Sequence, residues 1–218
     1  MGKDELEILK ELYRKTFSEE ELMDIFYQNR DSYRIQFHLI QQPKFPEKQA
    51  LNIIPKLFPP DLLKVIKNKR TSPGTRKRSE LEFVNKYPKF PIGEKLSYMK
   101  IAPNSLLHYF IEEKDKRVLE VILNNSSCSE EVILKFVNRQ SPKFSFYEAL
   151  YATEWFKRPQ VAYGISHDPQ APIRILVAII PYLNIRQLET LYQDETTHQI
   201  IKDNIIQYLR NRQNPETT

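Results

Sequence analysis

The chain has 218 residues, 40% hydrophobic and 28% charged, with a formal net charge of +5. That balance is ordinary for a folded soluble protein, and four glycines are too few for a turn-rich β-sheet fold. One cysteine, Cys128, excludes an internal disulfide and a thiolate metal cluster, and no run of about 18 apolar residues is present to span a membrane.

In chain order, Met1-Gly-Lys-Asp-Glu-Leu-Glu lacks the apolar stretch of a secretory signal. Leu6 stands where a myristoylation pattern needs Ser or Thr, so the cytoplasm is the expected compartment. Leu6, Leu9 and Tyr13 share a helical face within Lys3–Thr16. Ser18 followed by Glu21 is a capping-box signature for a second helix carrying Leu22, Ile25 and Phe26. Residues 1–32 therefore read as an N-terminal helical cap.

From Tyr33 a pattern begins that returns later. Pro43-Lys-Phe-Pro46, Ile53-Ile54-Pro55 and Leu57 match Pro169-Gln-Ala-Pro172, Ile179-Ile180-Pro181 and Leu183, 126 residues on (169 − 43). That distance is three steps of 42, and a further copy is read at Pro88-Lys-Phe-Pro91 with Leu96 in the register of Leu51. A period of about 40–47 residues is the mark of HEAT or armadillo-type helical repeats. Each unit reads as three helices. In the first they are Arg34–Gln41, Pro46–Leu57 and Pro60–Lys67, and in the last Gln160–His167, Pro172–Leu183 and Ile185–Gln193. The second proline of each pair suits a first helical turn, where a missing N–H costs nothing. The third unit lacks the proline pair. It offers Arg117–Asn124, then Ser129 as the cap of a helix through Val132, Leu134 and Val137. Ser141–Pro159 adds an aromatic-rich helix over 144–156, and Ile200, Ile201, Ile205, Ile206 and Leu209 form an amphipathic closing helix.

The expected fold class is all-α. It is an α-solenoid of about four repeats in one domain over 1–218, with repeats over 33–194, a C-terminal capping helix over 195–212 and a frayed tail over 213–218. Leu51, Ile54, Leu57, Leu62, Leu96, Leu176, Ile180, Leu183 and Leu188 are the expected inter-repeat core. The line Asp168-Pro-Gln-Ala-Pro172 through Ile180-Pro-Tyr-Leu183 resembles one that recurs in a group of uncharacterised bacterial HEAT/armadillo-like helical-repeat proteins. There it runs roughly Asn-Pro-x-Thr-Pro-x-x-x-Ala-Leu-x-Leu-Leu-Pro-x-Leu. Lys116–Asn125 with Ser129–Leu134 resembles their preceding repeat. The resemblance covers roughly residues 34–210 and implies a helical-repeat fold, with no activity attached. This chain departs from it with Asp168 at the usual Asn.

The sharpest chemical feature lies between Lys64 and Arg78. Lys64, Lys67, Lys69, Arg70, Arg76, Lys77 and Arg78 occur there without one acid, so the rest of the chain carries −2 (5 − 7). Such a segment is either a solvated inter-repeat loop or a surface for nucleic acid or another polyanion. Glu148, Tyr151 and Trp155 fall on one face of the aromatic helix at i, i+3 and i+7, a second candidate contact face. A carboxylate beside aromatics on helical repeats also resembles HEAT-like DNA glycosylases, with no specific motif of that family behind it. His38, His108, His167 and His198 lack zinc-ligand spacing, and Cys128 has no neighbour that would activate it. No catalytic residue, metal ligand or cofactor motif is assigned. The expected function is a non-enzymatic scaffold for a protein partner, and the alternative is polyanion binding through 64–78.

Overall fold

The computed structural model describes residues 4–110, 112–140 and 144–213, and no strand occurs among them. The first three residues, the start of the aromatic segment at 141–143 and the tail beyond 213 lie outside the described residues. The chain forms two compact units, Met1–Glu94 and Lys95–Thr218.

In the first unit, α1 (Glu5–Arg14) and α2 (Glu19–Gln28) precede α3 (Tyr33–Leu39), α4 (Glu47–Ile53), α5 (Pro59–Lys67) and α6 (Pro73–Lys86). The capping box at α2 is present, with Glu21 N donating to Ser18 Oγ at 3.2 Å and Ser18 N to Glu21 Oε2 at 2.7 Å. α4 runs into a 3-10 turn at Ile54–Lys56, because Pro55 has no N–H with which to continue the α ladder. α5 packs along α6, and α4 with its 3-10 turn leans on α6 through an inward face. That face is Ala50, Ile53, Ile54 and Leu57, all at most 3% exposed, an i, i+3, i+4, i+7 stripe.

The second unit contains α7 (Ile92–Ile101, which begins at the end of the first), α8 (Asn104–Leu107), α9 (Lys116–Leu123), α10 (Glu130–Asn138) and α11 (Phe144–Tyr151). It continues with α12 (Pro159–Ser166), α13 (Ile173–Ile179), α14 (Ile185–Gln193) and α15 (Gln199–Gln213). α9 packs on α11, α10 on α12, and α13 and α14 on α15. Gly164 lets α12 approach α10 closely. A Cβ there would stand 3.0 Å from a Leu134 methyl, tighter than a normal contact.

The 126-residue register extends further than the sequence indicates. Adding 126 to the bounds of α4, its 3-10 turn and α5 gives the bounds of α13, its 3-10 turn (Ile180–Tyr182) and α14 without a residue of error. α3 maps onto α12 and α6 onto α15, each within one residue at the C-terminal end. Pro55 and Pro181 are both exposed, while Ile54 and Ile180, Leu57 and Leu183, and Leu62 and Leu188 are all buried. Turns correspond as well. Asn68 Oδ1 accepts from Arg70 N at 3.0 Å, and Asp194 Oδ1 accepts from Thr196 N at 2.8 Å. A shorter step of 43 carries α9 onto α12 and places Asn125 at Asp168, and each side chain accepts from the backbone N–H two residues on. The recurring module thus has four helices where the sequence suggests three plus a loop.

Several expectations are corrected. Pro46 and Pro172 occupy the N-cap, one position before the helix, where their carbonyls accept the first helical bonds. The copy placed at Pro88 keeps its register at the helix starts, where 45 residues carry Glu47 of α4 to Ile92 of α7 and Pro91 O accepts from Glu94 N as Pro46 O does from Gln49 N. Pro88 sits inside the 3-10 turn Tyr87–Lys89, the role of Pro55. Leu51 is 43% exposed and Leu96 and Leu176 are half-buried, because the inward stripe passes through Ala50 and Ile53 instead. Ser129 holds the N-cap of α10 by position, yet its hydroxyl caps nothing. The aromatic segment is broken: α11 ends at Tyr151 and Trp155 starts a separate 3-10 turn. Thr153 Oγ1 causes the break by donating to Leu150 O at 2.8 Å while accepting from Trp155 N at 3.3 Å.

Candidate functional site

The segment 64–78 is not a loop. Lys64 and Lys67 belong to α5, a tight turn holds Lys69 and Arg70, and Arg76, Lys77 and Arg78 lie in the second turn of α6. Ser72 caps that helix, accepting from Thr75 N at 3.2 Å, and Pro73 follows at the first helical position.

The fold distributes the seven cations over different sides of the unit. Lys64 pairs with Asp61 at 2.9 Å and stands over the Phe37 ring at 5.5 Å, on the side of His38. Burial holds the His38 imidazole below its ordinary value. Arg70 lines a small hollow with Tyr13, His38 and Gln42. Lys77 and Arg78 line a different cleft of about 340 Å³ between α4 and α6, with Glu47, Lys48, Leu51, Ile54, Gly74 and Thr75. Lys77 also reaches Glu80 at 3.5 Å. Lys67, Lys69, Arg70, Arg76 and Arg78 have no ion-pair partner among the described residues.

Glu47 shapes this cleft. Its carboxylate accepts from Ser72 Oγ at 2.7 Å and from Gly74 N at 3.1 Å, so α4 supplies a negative charge to the N-terminus of α6, where the helix dipole favours it. Gly74 is required for that approach, since a Cβ would occupy the place of the carboxylate. At the far end Lys86 Nζ donates to Pro55 O at 2.8 Å and Leu57 O at 2.9 Å, tying α6 back to the 3-10 turn. Between α3 and α5, Tyr33 Oη donates to Asp61 Oδ2 at 2.6 Å and accepts from Phe58 N at 3.1 Å. Burial, with the Asp61 hydrogen bond second, pushes the Tyr33 phenol up to about 12.

The second candidate face is not one helical face. Glu148 sits 3.7 Å from Lys116 Nζ. Tyr151 stacks on Phe156 at 5.7 Å beneath the Arg174 guanidinium. Trp155 turns inward, donating Nε1–H to Leu123 O at 2.7 Å, with Arg158 over its ring at 4.7 Å. Burial pushes the Cys128 thiol up to about 11, away from nucleophile behaviour at neutral pH. Among the described residues no three His, Cys, Asp or Glu side chains are placed to hold a metal, and no helix is long and apolar enough to cross a membrane.

Sequence reasoning identified Lys77 and Arg78 and missed Glu47, Lys48 and Leu51, which only the packing of α4 on α6 brings beside them. The Ser72-Pro73 pair is the signal that reveals α6 as a helix and hence as a neighbour of α4. Set against protein-family models, curated proteins and solved structures, the chain matches none.

Proposed function

We propose that this chain is a non-enzymatic scaffold, an α-solenoid of about four HEAT/armadillo-like repeats related to the bacterial proteins it resembles. Its α4–α6 cleft receives an acidic, partly apolar segment of a protein partner. The observation that carries this reading is the chemistry of the cleft: Leu51, 43% exposed, is surrounded by Lys48, Lys77 and Arg78. An apolar side chain of the partner covers Leu51 while carboxylates meet the cations, the usual division between an interface centre and its rim. Interleaved acids favour this reading over a phosphate track. Glu47 stands in the cleft, and Asp61 and Glu80 engage Lys64 and Lys77.

The test uses a fluorescein-labelled ten-residue peptide of alternating glutamate and leucine, and in parallel a labelled DNA duplex, each titrated at low and physiological salt. The peptide is expected to bind, and Lys77→Ala with Arg78→Ala to weaken it about tenfold or more. Tight DNA binding that the same pair abolishes, with no peptide binding, transfers the site to polyanions and overturns the protein-partner reading.

A further inference from the structure

The second unit contains a larger cleft, of about 650 Å³, beside the 3-10 turn Ile180–Tyr182, the start of α14 and the end of α15. The register shows why it is open. In the first unit, the N-cap of α5 is Phe58, whose side chain cannot cap, so the Tyr33 hydroxyl bridges Phe58 N and Asp61. In the second unit Asn184 and Gln187 form their own capping box, with both bonds at 2.9 Å. No bridging phenol is needed, and Pro159 stands in the register of Tyr33. Likewise Lys86, which fastens α6 to Pro55 O and Leu57 O, becomes Arg212, and Pro181 O receives only a long 3.4 Å bond from Tyr208 Oη. The groups that fill this corner in one copy of the module are replaced in the other by a cavity of ligand size.

Its walls are specific. Arg186 and Arg212 line it, and neither guanidinium has a partner among the described residues. Tyr182, Tyr208 and Ile185, the last 52% exposed, line the same cleft and supply apolar surface. We infer that this cleft is a second recognition site, which takes a carboxylate-bearing peptide segment of a partner protein. A carboxylate lodges between the two guanidiniums, where forked bonds are strong, and the adjoining apolar side chain lies on Ile185 and the tyrosine rings. The inference stands on residues separate from the α4–α6 cleft and adds a site to it.

The experiment titrates the same labelled glutamate–leucine peptide into protein carrying Lys77→Ala and Arg78→Ala, which silences the first cleft. Anisotropy is the readout, and circular dichroism melting checks the fold. Binding is expected to persist in that background, to fall about tenfold for each of Arg186→Ala and Arg212→Ala, and to vanish in Pro159→Tyr, which rebuilds the first unit's filler. Three results overturn the inference: no binding in the background protein at low salt, binding indifferent to all three substitutions, or displacement of the peptide by an equal concentration of inorganic phosphate. Equal binding by wild type and background protein that responds to the arginines removes the α4–α6 proposal and leaves this one intact.

Discussion

Asn125 offers the most demanding test of how the helices are joined. It is 6% exposed at the corner between α9 and α10. Its amide donates to Met99 O at 2.6 Å and Ala102 O at 3.0 Å, while its Oδ1 accepts from Ser127 N at 2.6 Å. Asn125→Asp keeps the last bond and removes both donors. Two buried carbonyls then face a carboxylate instead of an amide. At about 1–3 kcal/mol for each stranded acceptor, the loss is about 2–6 kcal/mol at neutral pH. Burial against carbonyl oxygens raises the folded-state pKa of the introduced acid above its unfolded value of about 4. The protonated form, which recovers one donor, is therefore favoured in the fold. The sign follows: the recovered stability is fully present below pH 4 or so and is lost as pH rises through the raised value. Urea unfolding followed by circular dichroism, with variant and wild type compared at each pH, should show a lower midpoint at unchanged slope and a gap that narrows in acid. Midpoints that coincide at neutral pH, or a gap independent of pH, refute the reasoning. The corresponding Asp168 has the opposite need. Its Oδ2 accepts from the buried Tyr147 hydroxyl and its Oδ1 from Gln170 N, so Asp168→Asn loses an acceptor and costs about 1–3 kcal/mol.

Two further outcomes follow from the first unit. Gly74→Ala displaces the Glu47 carboxylate and is expected to lower stability by about 1 kcal/mol or less, the lost bonds outweighing the helix preference for alanine. In a Glu47→Ala background the sign reverses, with a gain of up to about 1 kcal/mol, because φ at Gly74 is not positive and the three atoms nearest a methyl there all belong to the Glu47 carboxylate. Thermal melts of the four proteins check this, and a loss of equal size in both backgrounds contradicts it. Tyr33 favours its neutral form in the fold, so its contribution is complete below pH 10 and disappears as pH rises from there through about 12. Alkaline unfolding should be shallower for Tyr33→Phe than for wild type over that window, and parallel curves would show that the phenol does not contribute.

How much was legible in the sequence depended on what each helix buries. α13 and α14 were readable nearly to the residue, because apolar spacing, Pro172 and Pro181 all mark the same boundaries. α6 was not, for a definite reason. Its inward positions Thr75 and Ser79 are 2% and 0% exposed, and α15 has Ile201 and Ile205 at the same places. Ser79 satisfies its hydroxyl by donating to Thr75 O at 2.9 Å, so a polar stripe is buried without the periodicity that announces a helix. Without that signal, charge dominates the sequence pattern and the helix reads as a loop. The break in the aromatic segment was hidden because it rests on one hydroxyl, Thr153, with no proline or glycine to mark it. The clefts were out of reach for another reason: each joins residues whose proximity depends on packing, and the gap at Pro159 is visible only against its filled counterpart at Tyr33.

Amide hydrogen exchange along 69–86 and 195–212 tests the central claim, that α6 is the helical counterpart of α15 in a recurring four-helix module, most directly. Protection is expected to begin at the same register position in both stretches. Within α6 and α15 the first amides bonded three residues back are Thr75, which reaches Ser72 Oγ at 3.2 Å, and Ile201, which reaches His198 O at 2.9 Å, and the i to i−4 ladder follows from Arg76 and Lys202. Protection should then continue through Phe83 and Leu209. Exchange of Arg76, Lys77 and Arg78 as fast as that of the turn residues Lys69 and Arg70, beside a protected 202–209, would contradict it.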